Sequence, residues 1–252
     1  MNSRRNQKWI PKAALLLGVV GFALRLSLDR FFREESGLFP SAHPLSLGAM
    51  AVAIAALALA FYAARNMEDV TGYQESFPAS LPGFLGHILA AAGILATVLT
   101  AQPGMTGRIA LLWKLLGLAS VPCLLAAGWL RQRGRQPFFL FHLIPTLFLL
   151  FHVISSYQNW SRESQMIDYL FSLLGIGGAL LFAFYHSAFD AGLEWRRRLL
   201  FFAYAGASLS FAAIPGSPYP WLYLGCGFWA LLDRPVAWVR RRRPNPFEEE
   251  TP

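Results

Sequence analysis

The stretch IDYLFSLLGIGGALLFAFYHSAFD, residues 167–190, decides the fold. Its apolar part, Ile167–Phe189, is long enough to cross a hydrocarbon core, which takes about 20 residues of helix. Helical residues advance by about 100° each, so Asp168 and His186 project from one face, five full turns apart. Between them that face carries Ser172, Gly175, Ala179 and Ala183, and Asp190 extends it by one more turn. Leu170, Leu173, Leu174, Leu181 and Phe184 fill the other faces. A small, polar stripe of this kind predicts a membrane helix with one side turned to a bundle interior. Within that interior it predicts either a pathway beside the preceding span or close helix packing sealed by serine and histidine hydrogen bonds.

Seven further apolar runs surround this one. They are Ile10–Leu28, Leu45–Ala64, Leu81–Ala101, Ile109–Leu130, Phe138–Ser156, Leu199–Ile214 and Tyr219–Val239. The last is broken by Asp233-Arg234-Pro235, which leaves open seven spans and a re-entrant segment. The fold class predicted is all-α, a polytopic membrane bundle of eight helices. Residues 1–243 would form one bundle and 244–252 a short acidic, disordered tail. Of 252 residues, 55% are hydrophobic and 14% charged, against about 25% charged in ordinary soluble domains.

Basic residues give the orientation. One side holds Arg4, Arg5, Lys8, Lys12, Arg65, Arg131, Arg133, Arg135, Arg196, Arg197, Arg198, Arg234 and Arg240 to Arg243, 16 in all. The other holds Arg30, Arg33, Arg108 and Arg162, making 4. Such asymmetry predicts that both termini are cytoplasmic. The net charge of +8 is thereby spread over loop ends, with no nucleic-acid motif, so no nucleic-acid partner is expected. Cys123 and Cys226 both fall within spans and imply no disulfide framework. No nucleotide-binding loop or dinucleotide fingerprint occurs. Chemistry must therefore belong to the bundle, its rims or a partner.

Two polar sets within the spans are candidates. Toward the outer side lie Arg25, Lys114, His152, Trp160, Asp168 and Tyr169, a set suited to binding a small anionic ligand. The alternative for these residues is a local Arg25–Asp29 ion pair, a snorkelling Lys114 and an aromatic belt. Toward the inner side lie His87, His142, His186 and Asp190. Imidazole and carboxylate at matched depth suit tetrahedral zinc, the one cofactor this sequence offers, and a position left for water would make a hydrolase. Membrane hydrolases of the alkaline-ceramidase type use such a set, although His186-x-x-x-Asp190 stands where they pair two histidines. Pro122 and Pro145, deep in their spans, predict kinks that can open a cavity.

Gly37-Leu38-Phe39-Pro40-Ser41-Ala42-His43-Pro44-Leu45 is one stretch with a familiar pattern. Another begins Trp160-Ser161, continues through Asp168-Tyr169-x-Phe171-x-Leu173-Leu174 and reaches Tyr185-x-x-Ala188-Phe189-x-x-Gly192. Together they resemble a bacterial family of small, uncharacterised multi-span membrane proteins. The resemblance implies a bacterial plasma membrane and no particular activity. The first expectation is thus a non-enzymatic carrier, or the membrane subunit of a transport or sensory complex. The alternatives are the intramembrane metal-dependent hydrolase and a scaffold binding other membrane helices through its small-residue faces. The partners expected are the lipid bilayer, a membrane protein and a small-molecule ligand.

Overall fold

A computed structural model describes residues 9–32, 43–67, 72–100, 108–160, 167–193 and 195–236, with backbone alone at 158–160 and 167–168. Among the described residues every regular element is a helix: α1 (Ile10–Phe31), α2 (Pro44–Arg65), α3 (Tyr73–Ser76), α4 (Leu81–Thr100), α5 (Arg108–Gln132), α6 (Leu140–Trp160), α7 (Ile167–Asp190), α8 (Arg196–Ala213) and α9 (Pro220–Leu232). The N-terminal basic residues Arg4, Arg5 and Lys8, the outer Arg33 and Arg162, the Arg240–Arg243 run and the acidic tail lie outside them. So do residues 37–42 and 161–166 of the two resembling stretches.

Among the described residues six helices, α1, α2, α4, α5, α6 and α7, are long and apolar enough to cross a membrane, which is compatible with an integral membrane protein. The expected count of eight is not reached. Helix α8 opens on three arginines, and α9 has 13 residues. At about 1.5 Å per residue α9 is roughly 20 Å long, against a hydrocarbon core of about 30 Å. Pro220 starts α9, and Asp233 caps its end inside the protein.

These two short helices form the centre. Helix α8 packs on α1, α2, α7 and α9, and α9 also packs on α4. From Ala203 to Ala213 every residue of α8 is buried. The long helices keep large apolar side chains on their outer faces, among them Leu16, Ile54, Leu99, Leu111 and Ile154. A helix buried all round belongs to a core, whereas one with an apolar outer face suits lipid.

Small residues let the centre close. A Cβ added to Gly178 would stand 2.8 Å from the Gly206 Cα, so α7 and α8 touch backbone to backbone there. This contact accounts for the stripe on α7. Ser172, Gly175, Ala179, Ala183, His186 and Asp190 are all buried, while Leu181 and Phe184 are exposed. Along most of its length the stripe meets α8 and α9, and at its end Asp190 meets His142 of α6. The Ser210 hydroxyl donates to the Gly175 carbonyl at 3.3 Å, and the Tyr223 hydroxyl to the Ser172 carbonyl at 3.1 Å. Close packing seals most of its length. Only its last turn, at His186 and Asp190, is polar chemistry.

Pro122 and Pro145 both lie within continuous helices. Arg65, Arg131, Arg133, Arg135, Arg196 to Arg198 and Arg234 gather at one end of the bundle, hereafter the basic end. Their helices either finish or begin there, as antiparallel packing of neighbours requires.

Candidate metal centre

At the basic end three helices bring together the whole inner set. His87 comes from the second turn of α4, His142 from the first turn of α6, and His186 and Asp190 from the last turns of α7. Asp233, at the end of α9, completes the group. The side chains of all three histidines and both aspartates are fully buried.

The hydrogen bonds fix the proton positions on two of the imidazoles. His87 Nδ1 lies 2.8 Å from the Gly83 carbonyl, which can only accept, so Nδ1 carries the hydrogen. His142 Nδ1 donates to Asp190 Oδ2 at 2.5 Å. Both rings turn Nε2 inward, and these two nitrogens stand 3.0 Å apart. Two acceptors at that distance repel unless a cation or an added proton lies between them. Asp233 Oδ2 is 3.5 Å from His87 Nε2. Ligands of a tetrahedral zinc, each about 2.0–2.2 Å from the metal, stand roughly 3.3–3.5 Å from one another. The 3.5 Å separation of His87 and Asp233 matches that edge length, the 3.0 Å separation of the two histidines is a little shorter, and the ligand atoms of all three residues lie within 4.8 Å of one another.

A second triplet, His142, His186 and Asp190, meets the same limit. His186 donates through Nε2 to Asp233 Oδ2 at 2.7 Å. Its Nδ1 is 3.8 Å from Asp190 Oδ2, beyond hydrogen-bond reach. That nitrogen and Asp190 Oδ1 are buried without a hydrogen-bond partner among the described residues. Buried polar atoms are nearly always paired, so these two are exceptional positions in the interior.

Other residues hold the group in place. Arg131 Nε donates to Asp233 Oδ1 at 2.8 Å, and its Nη1 donates to the Pro78 carbonyl at 2.5 Å. Its guanidinium also lies 4.6 Å over the Phe77 ring. Phe77, fully buried, sits 5.0 Å from His186 and closes the basic end of the site. Trp229 stacks along His142, centroids 5.8 Å apart and planes 14° apart. Tyr73 of α3 stacks on Phe77, and its buried hydroxyl has no hydrogen-bond partner among the described residues. Burial, reinforced by the negative charges of Asp190 and Asp233, pushes that phenol well above its ordinary range.

The sequence reading thus named four of the five converging groups and missed Asp233, together with Arg131. Asp233 stood as a break in the last apolar run, although a lone carboxylate there carries the usual cost of an intramembrane charge and hence a signal of function.

Of the outer set, the side chains of Arg25, Lys114, His152 and Tyr169 are described. Arg25 is buried against α7 and α8, with Nη1 donating to the Ala212 carbonyl at 3.4 Å and Cζ 4.9 Å over Phe171. His152 is buried between α5 and α9, where it accepts from Trp113 Nε1 at 3.2 Å and meets the Tyr219 ring edge-on. Lys114 is exposed on α5, and Tyr169 is half-buried. The side chains of Trp160 and Asp168 lie outside the described residues. Cys123 and Cys226 are both free.

Compared with protein-family profiles, with curated proteins and with solved structures, the chain matches none.

Proposed function

We propose that this chain is a membrane-embedded, zinc-dependent hydrolase, with the metal held by His87, His142 and Asp233. The observation that carries the reading is the pair of Nε2 atoms, 3.0 Å apart and fully buried, with a carboxylate oxygen 3.5 Å from one of them. Each histidine is oriented by an acceptor on its other nitrogen, Gly83 for one and Asp190 for the other. Ligating histidines usually have this arrangement, because it fixes the tautomer and raises ligand basicity. Zinc in a two-histidine, one-carboxylate set polarises a carbonyl and acidifies a water. His186 is the proton carrier in this scheme, since it holds Asp233 through Nε2 and keeps Nδ1 open toward Asp190. The substrate would be a lipid or amide bond presented at the basic end.

In this reading α8 leaves the basic end and α9 returns to it as a short pair surrounded by protein rather than lipid, so that both termini share the basic side. Positive-inside asymmetry makes that side cytoplasmic, in a bacterial plasma membrane. Complete closure of the site favours a second reading, a carrier or sensory subunit in which the ion is bound but does no hydrolysis.

Metal analysis of the purified protein tests the centre. The expected result is about one zinc per chain, lost in His87→Ala, His142→Ala and Asp233→Ala. A folded wild-type protein that neither carries nor takes up zinc would overturn the reading. Chelator-sensitive cleavage of lipid amides or esters separates hydrolase from carrier.

A further inference from the structure

The wall that closes the basic end of the site is thin. Between Gly72 and Ser80 the chain crosses that end as a strap, with Gln74, Glu75, Pro78 and Ala79 exposed and Ser76 and Phe77 turned inward and buried. Phe77 is the plug, its ring 5.0 Å from His186 and 5.3 Å from Phe189. Val236 N donates to the Ser76 carbonyl at 2.8 Å and Arg131 Nη1 donates to the Pro78 carbonyl, and these bonds fasten the strap to the bundle.

Two hydroxyls oppose its closure. Those of Tyr73 and Ser76 are buried without a hydrogen-bond partner among the described residues, and each regains water on exposure. Burial of the Phe77 ring works the other way. A segment balanced like this opens locally at less cost than the buried helices do. Its ends suit such movement. Gly72 has φ +109° and nothing within 4 Å of an added Cβ, so the chain turns there without meeting a neighbour. Ser80 stays in place, its Oγ accepting from the Gly83 amide at 3.2 Å. We propose that residues 73–79 swing out as a gate, hinged at Gly72 and Ser80, and open the histidine–aspartate site to water at the basic end. Arg131 is the latch, and the same guanidinium positions Asp233. That the gate admits a hydrated zinc ion and the polar head of a substrate rests on the metal reading above; the movement itself does not.

The test is modification of full-length Ser76→Cys in a neutral detergent by a charged, water-soluble methanethiosulfonate, read peptide by peptide by mass spectrometry. A thiol at this buried position reacts when the strap opens, and the native Cys226, buried in α9, reports any wider unfolding. The introduced thiol should react about tenfold faster than Cys226 or more. Adding Phe77→Ala removes the plug and should speed the reaction about tenfold further. Adding Tyr73→Phe removes an unsatisfied hydroxyl from the closed state and should slow it about fivefold. Loosened packing alone would speed both. An introduced thiol no more reactive than Cys226 would overturn the proposal, and so would acceleration by Tyr73→Phe. In the unmodified wild type, amide exchange at Val236, whose hydrogen bond ends on Ser76, should run about tenfold faster than across Ala203 to Ala213, and equally slow exchange would overturn the gate without any variant. These readings need no metal. Faster zinc uptake in Phe77→Ala would join the gate to the metal centre, whereas a strap that opens in a protein that takes up no zinc counts against the metal reading alone.

Discussion

Arg131 Nε donates to Asp233 Oδ1 at 2.8 Å across 102 residues of chain, with both side chains buried. The pair ties the end of α5 to the end of α9 and aims the other oxygen of Asp233 at His186 and His87. The carboxylate is therefore shared between a positioning cation and two imidazoles.

Removing the cation alone leaves a buried carboxylate without its permanently charged partner. Arg131→Met should cost about 3–5 kcal/mol of stability, the range for breaking a buried ion pair from one side. Thermal unfolding in detergent reads this directly. Arg131→Met/Asp233→Asn should recover part of the loss, since no uncompensated charge remains. A single variant as stable as wild type would contradict the role assigned to the pair.

Asp190 orients His142 without being placed among the ligands. Asp190→Asn keeps the shape but weakens the acceptor for Nδ1–H, and zinc affinity should fall about 10–100-fold. Competition with a calibrated chelator gives the ratio. An unchanged affinity would mean that the short His142–Asp190 contact serves packing alone.

Gly83 admits the Asp233 carboxylate. A Cβ there would stand 2.8 Å from Oδ1 and 3.6 Å from Arg131 Cγ. Gly83→Ala should therefore displace the ion pair, cost about 1–3 kcal/mol as overpacking and lower zinc content. Gly177, in mid-helix with nothing within 4 Å of an added Cβ, provides the contrast. Gly177→Ala should be neutral or stabilising by up to about 1 kcal/mol, from helix propensity. Equal effects in the two variants would count against the tight fit at Gly83.

Tyr73 offers a pH test. Its folded pKa is raised, first by burial and then by Asp190 and Asp233. The folded state thus holds the phenolic proton longer than the unfolded state does. Stability is unaffected by this group below the unfolded value of about 10 and falls as pH rises past it. Between pH 9 and 11 the melting temperature of the wild type should drop more steeply than that of Tyr73→Phe. At neutral pH the phenylalanine variant should be no less stable, because the hydroxyl it removes is buried without a hydrogen-bond partner among the described residues. Parallel pH curves would show that the phenol titrates as if in water.

Apolar run length determined the six membrane-length helices, because crossing a hydrocarbon core is a property of one segment and needs no partner. Periodicity determined the buried stripe of α7 for the same reason: a helix face is local geometry. At α9 run length left the outcome open: the segment to Val239 is broken at Asp233, and the helix ends at Leu232. There the apolar count could not register that Asp233 turns inward to Arg131 and the histidines. Depth arguments placed His87, His142, His186 and Asp190 on one level, but only the tertiary structure decided that they meet. Rotation of each helix about its own axis depends on its neighbours, on contacts such as Gly178 with Gly206. The outer residues had the same formal claim, yet Arg25 and Lys114 are set apart by such rotations, one buried against α8 and the other exposed. Sequence fixes how long a helix is and which of its faces is polar; packing decides which polar faces share a point.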